Sequence, residues 1–126
     1  MTLKALALNC TLKADGDSST QRMIDLVLAS LERHGVTGRS IRLAKFNVKP
    51  GVTSDEGEGD DWPNLRKQVL MANILIMGTP IWLGQPSSVC KRALERMDAF
   101  LEETDDKSLQ TRLKCWPAMR LIWRGS

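Results

Sequence analysis

The stretch "NILIMGTP", residues 73–80, is apolar from Ile74 to Met77 and stops at Gly78. An apolar run this short, bounded by a helical pattern and a glycine, reads as a strand buried on both faces. Such a strand needs neighbouring strands for its hydrogen bonds and helices above and below it. That is the layout of a parallel sheet. "LKALAL" (3–8) reads as a second buried strand, and "SIRLAKF" (40–46) as a third, less buried and nearer an edge.

Helical patterns fall between these strands. Ser18, Ser19 and Thr20 are good N-cap types, and Met23, Ile24, Val27, Leu28 and Leu31 then recur at helical spacing until "HGVTG". His34 sits at that helix's end, where it favours the negative pole. "NVKPGVTSDEGEGDD" is a glycine-rich, acidic surface loop, and "DDWPNLRKQVLMA" opens a helix with an acidic cap and Pro63 in the first turn. After "TPIWLGQPSS" a further helix should face inward through Val89, Ala93, Leu94, Met97, Phe100 and Leu101. Lys91, Arg92, Glu95 and Arg96 should point mostly outward. Strand and helix alternate three times, which predicts an α/β, doubly wound parallel sheet.

The chain's 126 residues suit one domain, and 42% hydrophobic with 26% charged residues is globular rather than disordered. No apolar stretch approaches the roughly 20 residues of a bilayer span, and no signal-peptide pattern opens the chain, so a cytoplasmic location is expected. Cys10, Cys90 and Cys115 form no CxxC pair. They read as structural thiols, with neither a disulfide framework nor a metal site expected. The formal charge of +3 is uneven. Arg112, Lys114, Arg120 and Arg124 lie in residues 111–126, which contain no acid. Without those four, 14 basic residues face 15 acids, and the body is near neutral.

In open parallel sheets, ligands sit beyond the C-terminal ends of the strands. Two long loops fall there. "NCTLKADGDSSTQ" (9–21) gathers hydroxyls and free backbone N–H groups at a helix start, an anion site by construction, with Lys13 at its rim. It has neither a Walker nor a GxGxxG spacing. A phosphomonoester fits it better than a diphosphate, which points to a mononucleotide such as FMN. A solvated turn with redundant caps is the plainer alternative. The second loop, "TPIWLGQPSS", offers Pro80, Ile81, Trp82, Leu83 and Gly84 as an apolar and backbone surface for a flat aromatic ring. Taken alone, Trp82 is more often a core or interface residue than a flavin contact.

Together "LNCTLKADGDSSTQ", "GDDWP" and "TPIWLGQPSSVCKRALERMDAF" resemble the NAD(P)H-dependent FMN reductases of the flavodoxin-like superfamily. The resemblance runs from residue 3 to about 107. It implies that Thr11, Ser18, Ser19 and Thr20, with Lys13, bind the FMN phosphate, and that Pro80, Ile81, Trp82 and Leu83 contact the flavin. It also implies hydride transfer from NAD(P)H through FMN to a quinone or flavin acceptor, in a dimer or tetramer. The flavin carries the chemistry in such enzymes, so no catalytic side chain is required.

Beyond about Ser108 the pattern changes. The family's fourth and fifth strands and its Gly-Asn-Glu loop are not evident. The chain therefore divides into a partial flavodoxin-like FMN-binding domain, 1–110, and a divergent basic tail, 111–126. Read in a shifted frame, with one permitted set of codons, residues 114–120 give Val-Leu-Ala-Gly-Asn-Glu. This suggests a truncated or out-of-frame end, a product of low stability and weak flavin binding. The alternative function is a non-catalytic binding module whose Trp116 and Trp123, among cations, engage a membrane surface or nucleic acid. The near-neutral body favours the small-molecule reading, with no nucleic-acid and no membrane partner.

Overall fold

The computed structural model describes residues 2–102. Expectations about the Leu101 side chain, Cys115 and the 111–126 tail lie outside the described residues. In chain order the elements are β1 (Lys4–Asn9), α1 (Ser19–Arg33), β2 (Thr37–Arg42), a 3₁₀ turn (Leu43–Lys45), α2 (Trp62–Met71), β3 (Ile74–Gly78), β4 (Ile81–Trp82), β5 (Gln85–Pro86), α3 (Ser88–Arg96) and α4 (Ala99–Glu102). β1 is central and parallel to both neighbours, in the order β2-β1-β3. The fold is the α/β layout expected from the alternation, and its parallel sheet agrees with the flavodoxin-like fold that the resemblance implies.

Alternation along the strands places the two helical layers. Leu6, Leu8 and Cys10 face one side of the sheet with Leu75 and meet Trp62, Leu65 and Val69 of α2 and Cys90, Ala93 and Met97 around α3. Ala7 and Ile76 face the other side and meet Ile24, with Leu28 and Leu31 packed beside them. Two glycines let α1 approach. A Cβ on Gly38 would lie 2.6 Å from Leu28 Cδ2, and one on Gly78 would lie 2.8 Å from Ile24 Cδ1.

Several expectations are corrected. The third strand of the sequence reading, "SIRLAKF", begins earlier, at Thr37, and ends at Arg42, because its register with β1 runs out at Asn9↔Arg42. The chain then tightens into the 3₁₀ turn and drives Leu43 into the core. On α1, Met23 and Val27 are exposed rather than inward. The stripe over the sheet is Ile24, Leu28 and Leu31, and the preceding positions lie about 100° round the helix. Asp61 precedes α2 without capping it by its side chain, which instead accepts the Asn47 N–H at 2.6 Å.

The largest correction concerns α3. The side chains of Arg96 and its partner Asp60 are both fully buried. The Arg96 guanidinium donates to both Asp60 carboxylate oxygens, at 3.0 and 2.6 Å, and to the carbonyls of Lys49 and Thr53, each at 2.9 Å. It also lies over the Trp62 ring, 5.8 Å from its centroid. The loop that read as a free acidic surface folds across α3 and encloses the arginine. Leu94, expected inward, is partly exposed in the same helix. Asp60 is held well below the ordinary carboxylate range, first by Arg96 and then by N–H groups of Glu56, Trp62 and Lys49, which outweigh the opposing effect of burial.

Candidate functional site

β1 and β3 end side by side, and their following loops are bonded together. The Cys10 N–H donates to the Gly78 carbonyl at 2.8 Å. Ser87, fully buried at the end of the second loop, donates its hydroxyl to the Cys10 carbonyl at 2.7 Å. Ser87 Oγ also accepts the Cys90 N–H at 3.1 Å and so caps α3. The Ser87 N–H donates to Thr79 Oγ1 at 3.0 Å, which ties the base of the second loop to itself. One serine thus fixes both loops to one helix start.

The first loop is ordered from within. Asn9 is buried, and its side chain accepts the Thr11 N–H at 3.0 Å and donates to Gln21 Oε1 at 2.9 Å. Gln21 in turn donates to Asp25 at 2.8 Å and to Ser40 on β2 at 3.0 Å. Ser18 is the N-cap of α1 and accepts the Gln21 N–H at 3.1 Å. Its hydroxyl is therefore engaged in the helix. The N–H groups of Ser19 and Thr20, at the first two helical positions, precede the intrahelical ladder. Thr11 and Thr20 are half-buried, while Lys13 and Ser19 are exposed at the rim.

Where the sequence suggested an irregular loop, residues 81–86 form a hairpin. Ile81 pairs with Pro86 and Trp82 with Gln85, antiparallel. Leu83 and Gly84 make the turn with φ of +52° and +76°. A two-residue turn of this hand matches strand twist but suits asparagine and glycine, and a leucine there is strained. The hairpin presents apolar surface to the outside, Leu83 being fully exposed and Trp82 52% exposed. Pro80 is half-buried at its base, and Ile81 is exposed beside Trp82. Strain and exposed apolar surface together mark a binding element better than a turn.

All ten expected site residues thus lie on the two loops or at the α1 start, at the C-terminal edge of the sheet. Asn9, Thr79, Gln21 and Ser87, which hold those loops in place, were missed. Only Ser87 carried a signal, as an N-cap type before a helix. Cys10 and Cys90 lie beneath the site, both buried. The Cys10 thiol is pushed up by its hydrogen bond to Cys90 and by burial, which fits the expected structural thiols. Among the described residues no group of His, Cys, Asp and Glu is assembled for a metal, and no helix is long and apolar enough to cross a membrane.

The site's surfaces suit FMN. A helix start whose first N–H groups precede the intrahelical ladder can accept an anion, and an exposed apolar hairpin offers surface to a flat ring. Comparison with known proteins agrees. Residues 3–114 match the family model described as NADPH-dependent FMN reductase. The chain is 39% identical over 102 residues to the divalent metal cation transporter MntH of Mycobacterium bovis, covering 77% of this chain and 15% of that protein. It is 31% identical over 116 residues to 8-demethyl-8-aminoriboflavin-5'-phosphate synthase of Streptomyces davaonensis, covering 84% of this chain and 45% of that one. The crystal structure of RosB with bound 8-demethyl-8-formylriboflavin-5'-phosphate superposes with a TM-score of 0.65 at 28% identity, over 76% of this chain and 42% of that one. This chain therefore spans less than half the length of each. With the match extending over most of its residues, the chain belongs to the NADPH-dependent FMN reductase family.

Proposed function

We propose that this chain is an FMN-dependent oxidoreductase that passes hydride from NADPH or NADH, through FMN, to a quinone or a second flavin. The observation that supports this is the joining of the loop after β1 to the foot of the hairpin loop through Ser87 and Cys10. In this reading the Ser19 and Thr20 N–H groups and the Thr11, Ser19 and Thr20 hydroxyls hold the phosphate, with Ser18 fixing the helix start and Lys13 closing the rim. Pro80, Ile81, Trp82, Leu83 and Gly84 line the ring and exclude water from one of its faces. Bound FMN supplies the hydride-accepting ring, and the protein supplies its position. A relative solved with a riboflavin-5'-phosphate derivative supports the choice of flavin. The division into an FMN-binding domain, 1–110, and a basic tail, a cytoplasmic location and a homo-oligomeric state belong to the same proposal.

The test is anaerobic mixing of the FMN-loaded protein with NADPH, following the loss of oxidised-flavin absorbance, then addition of a quinone. Reduction faster than that of free FMN, reversed by the quinone, is expected. Bound flavin that NADPH leaves oxidised would overturn the oxidoreductase reading.

A further inference from the structure

Three residues of β2 face α1 in succession. The register sets Gly38 opposite Ala5, Ser40 opposite Ala7 and Arg42 opposite Asn9. Alternate residues of a strand share a face, and Ala7 lies on the face that packs against Ile24 of α1. Each of the three meets a different part of the helix and the loop that leads into it. Gly38 lets Leu28 approach, Ser40 accepts from the Gln21 side chain at 3.0 Å, and Arg42 donates to the Gly16 carbonyl at 2.9 Å. The stripe begins under the helix and ends on its loop.

Arg42 reaches that loop at its exposed middle. Asn9 and Ser18 fix the two ends, the first through the Thr11 N–H and the second as the α1 cap. Between them Leu12, Lys13, Asp15, Gly16 and Asp17 are exposed. A segment with few buried contacts lies at the low-stability end of a fold. At its turn Gly16 takes a φ of +93°, where a Cβ would meet nothing within 4 Å. The backbone conformation, not space, calls for glycine there, and the turn delivers the Gly16 carbonyl to Arg42. Lys45 also meets the loop, at Asp15 and 3.8 Å, but both side chains are largely exposed and such a pair adds little. Arg42 is half-buried, and its bond ties residues 26 positions apart.

We propose that Arg42 is a positioning residue for the phosphate-binding loop, and that its bond to Gly16 strengthens the chain's preference for FMN over riboflavin. Arg42 acts through the Gly16 carbonyl and touches neither ring nor phosphate. A loop ordered in advance loses less conformational freedom when a ligand arrives, which tightens the complex. Only the phosphate end of FMN meets this loop, so the gain falls on FMN and not on riboflavin. The proposal rests on the flavin site for its ligand and adds β2 to the elements that build that site.

Fluorescence titration of the purified full chain with FMN and with riboflavin tests this in the wild type, Arg42→Met and Arg42→Lys. Methionine keeps an apolar stem without a donor, whereas lysine can still donate to one carbonyl. Arg42→Met should weaken FMN about tenfold and leave riboflavin unchanged, as expected for loss of one charge-assisted hydrogen bond on the phosphate side alone. Arg42→Lys should restore most of the FMN affinity. General damage to the fold would weaken both flavins alike. Equal loss of both flavins, or wild-type FMN affinity in Arg42→Met, overturns the proposal. Amide hydrogen exchange supplies a readout that needs no flavin: residues 12–17 should exchange faster in Arg42→Met, with β1 and α3 unchanged. A wild-type chain that binds neither flavin contradicts the flavin site, whereas unchanged exchange at residues 12–17 contradicts the role of Arg42.

Discussion

At the scale of single residues, the Arg96–Asp60 pair and Leu83 show opposite uses of an unusual side-chain placement. Removing one member of a fully buried, hydrogen-bonded pair leaves an uncompensated charge, at a cost of about 3–5 kcal/mol. Asp60→Asn should therefore lower stability by that order in urea unfolding. The same pair sets an acid limit. Asp60 ionises more readily in the folded chain than in the unfolded one, whose aspartate value is near 3.9. Its stabilisation is thus complete above that value and is lost as pH falls below it toward the depressed folded value. Wild-type stability should decline over that window, and this part of the decline should be absent in Asp60→Asn. Leu83 instead holds an exposed apolar side chain at φ +52°. Leu83→Asn should raise thermal stability by about 0.5–1 kcal/mol, since asparagine tolerates this conformation, while weakening FMN binding. Reduced stability together with unchanged FMN affinity would contradict the account of the hairpin. Neither the burial of Arg96 nor the backbone conformation of Leu83 was legible beforehand. An arginine on a helix that also carries Lys91, Arg92 and Glu95 reads as surface, and only the long loop folding back makes it core.

At the scale of elements, the pattern read well wherever burial alone decides the outcome. β3 and α1 stand where the apolar runs and caps put them, from Ile74 to Gly78 and from Ser19 to Arg33. β2 did not, because its ends follow from pairing with β1 rather than from its own composition. The hairpin was missed because Leu-Gly is a poor signal for its turn. Ser87 is the element-scale test of the site. Ser87→Ala strips the Cys10 carbonyl and the Cys90 N–H of their shared partner, at about 1–3 kcal/mol for buried groups left unpaired. Thermal unfolding should report that loss. FMN affinity should fall further than in Ser18→Ala, where only the α1 cap is lost, because Ser87 couples both loops. Equal flavin affinity in the two variants would mean the loops are positioned independently.

At the scale of the whole molecule, the α/β class was legible from the alternation of strand and helix. The loops' mutual bonding was not, since it joins residues 77 positions apart. The molecule's central claim is that these two loops, so joined, make one flavin site. The measurement that tests it most directly is titration of FMN into the purified chain, following the quenching of flavin fluorescence. Saturable quenching that weakens in Leu83→Asn and in Ser87→Ala is the predicted result. A folded, cooperatively unfolding chain that leaves FMN fluorescence unchanged at saturating protein would contradict it.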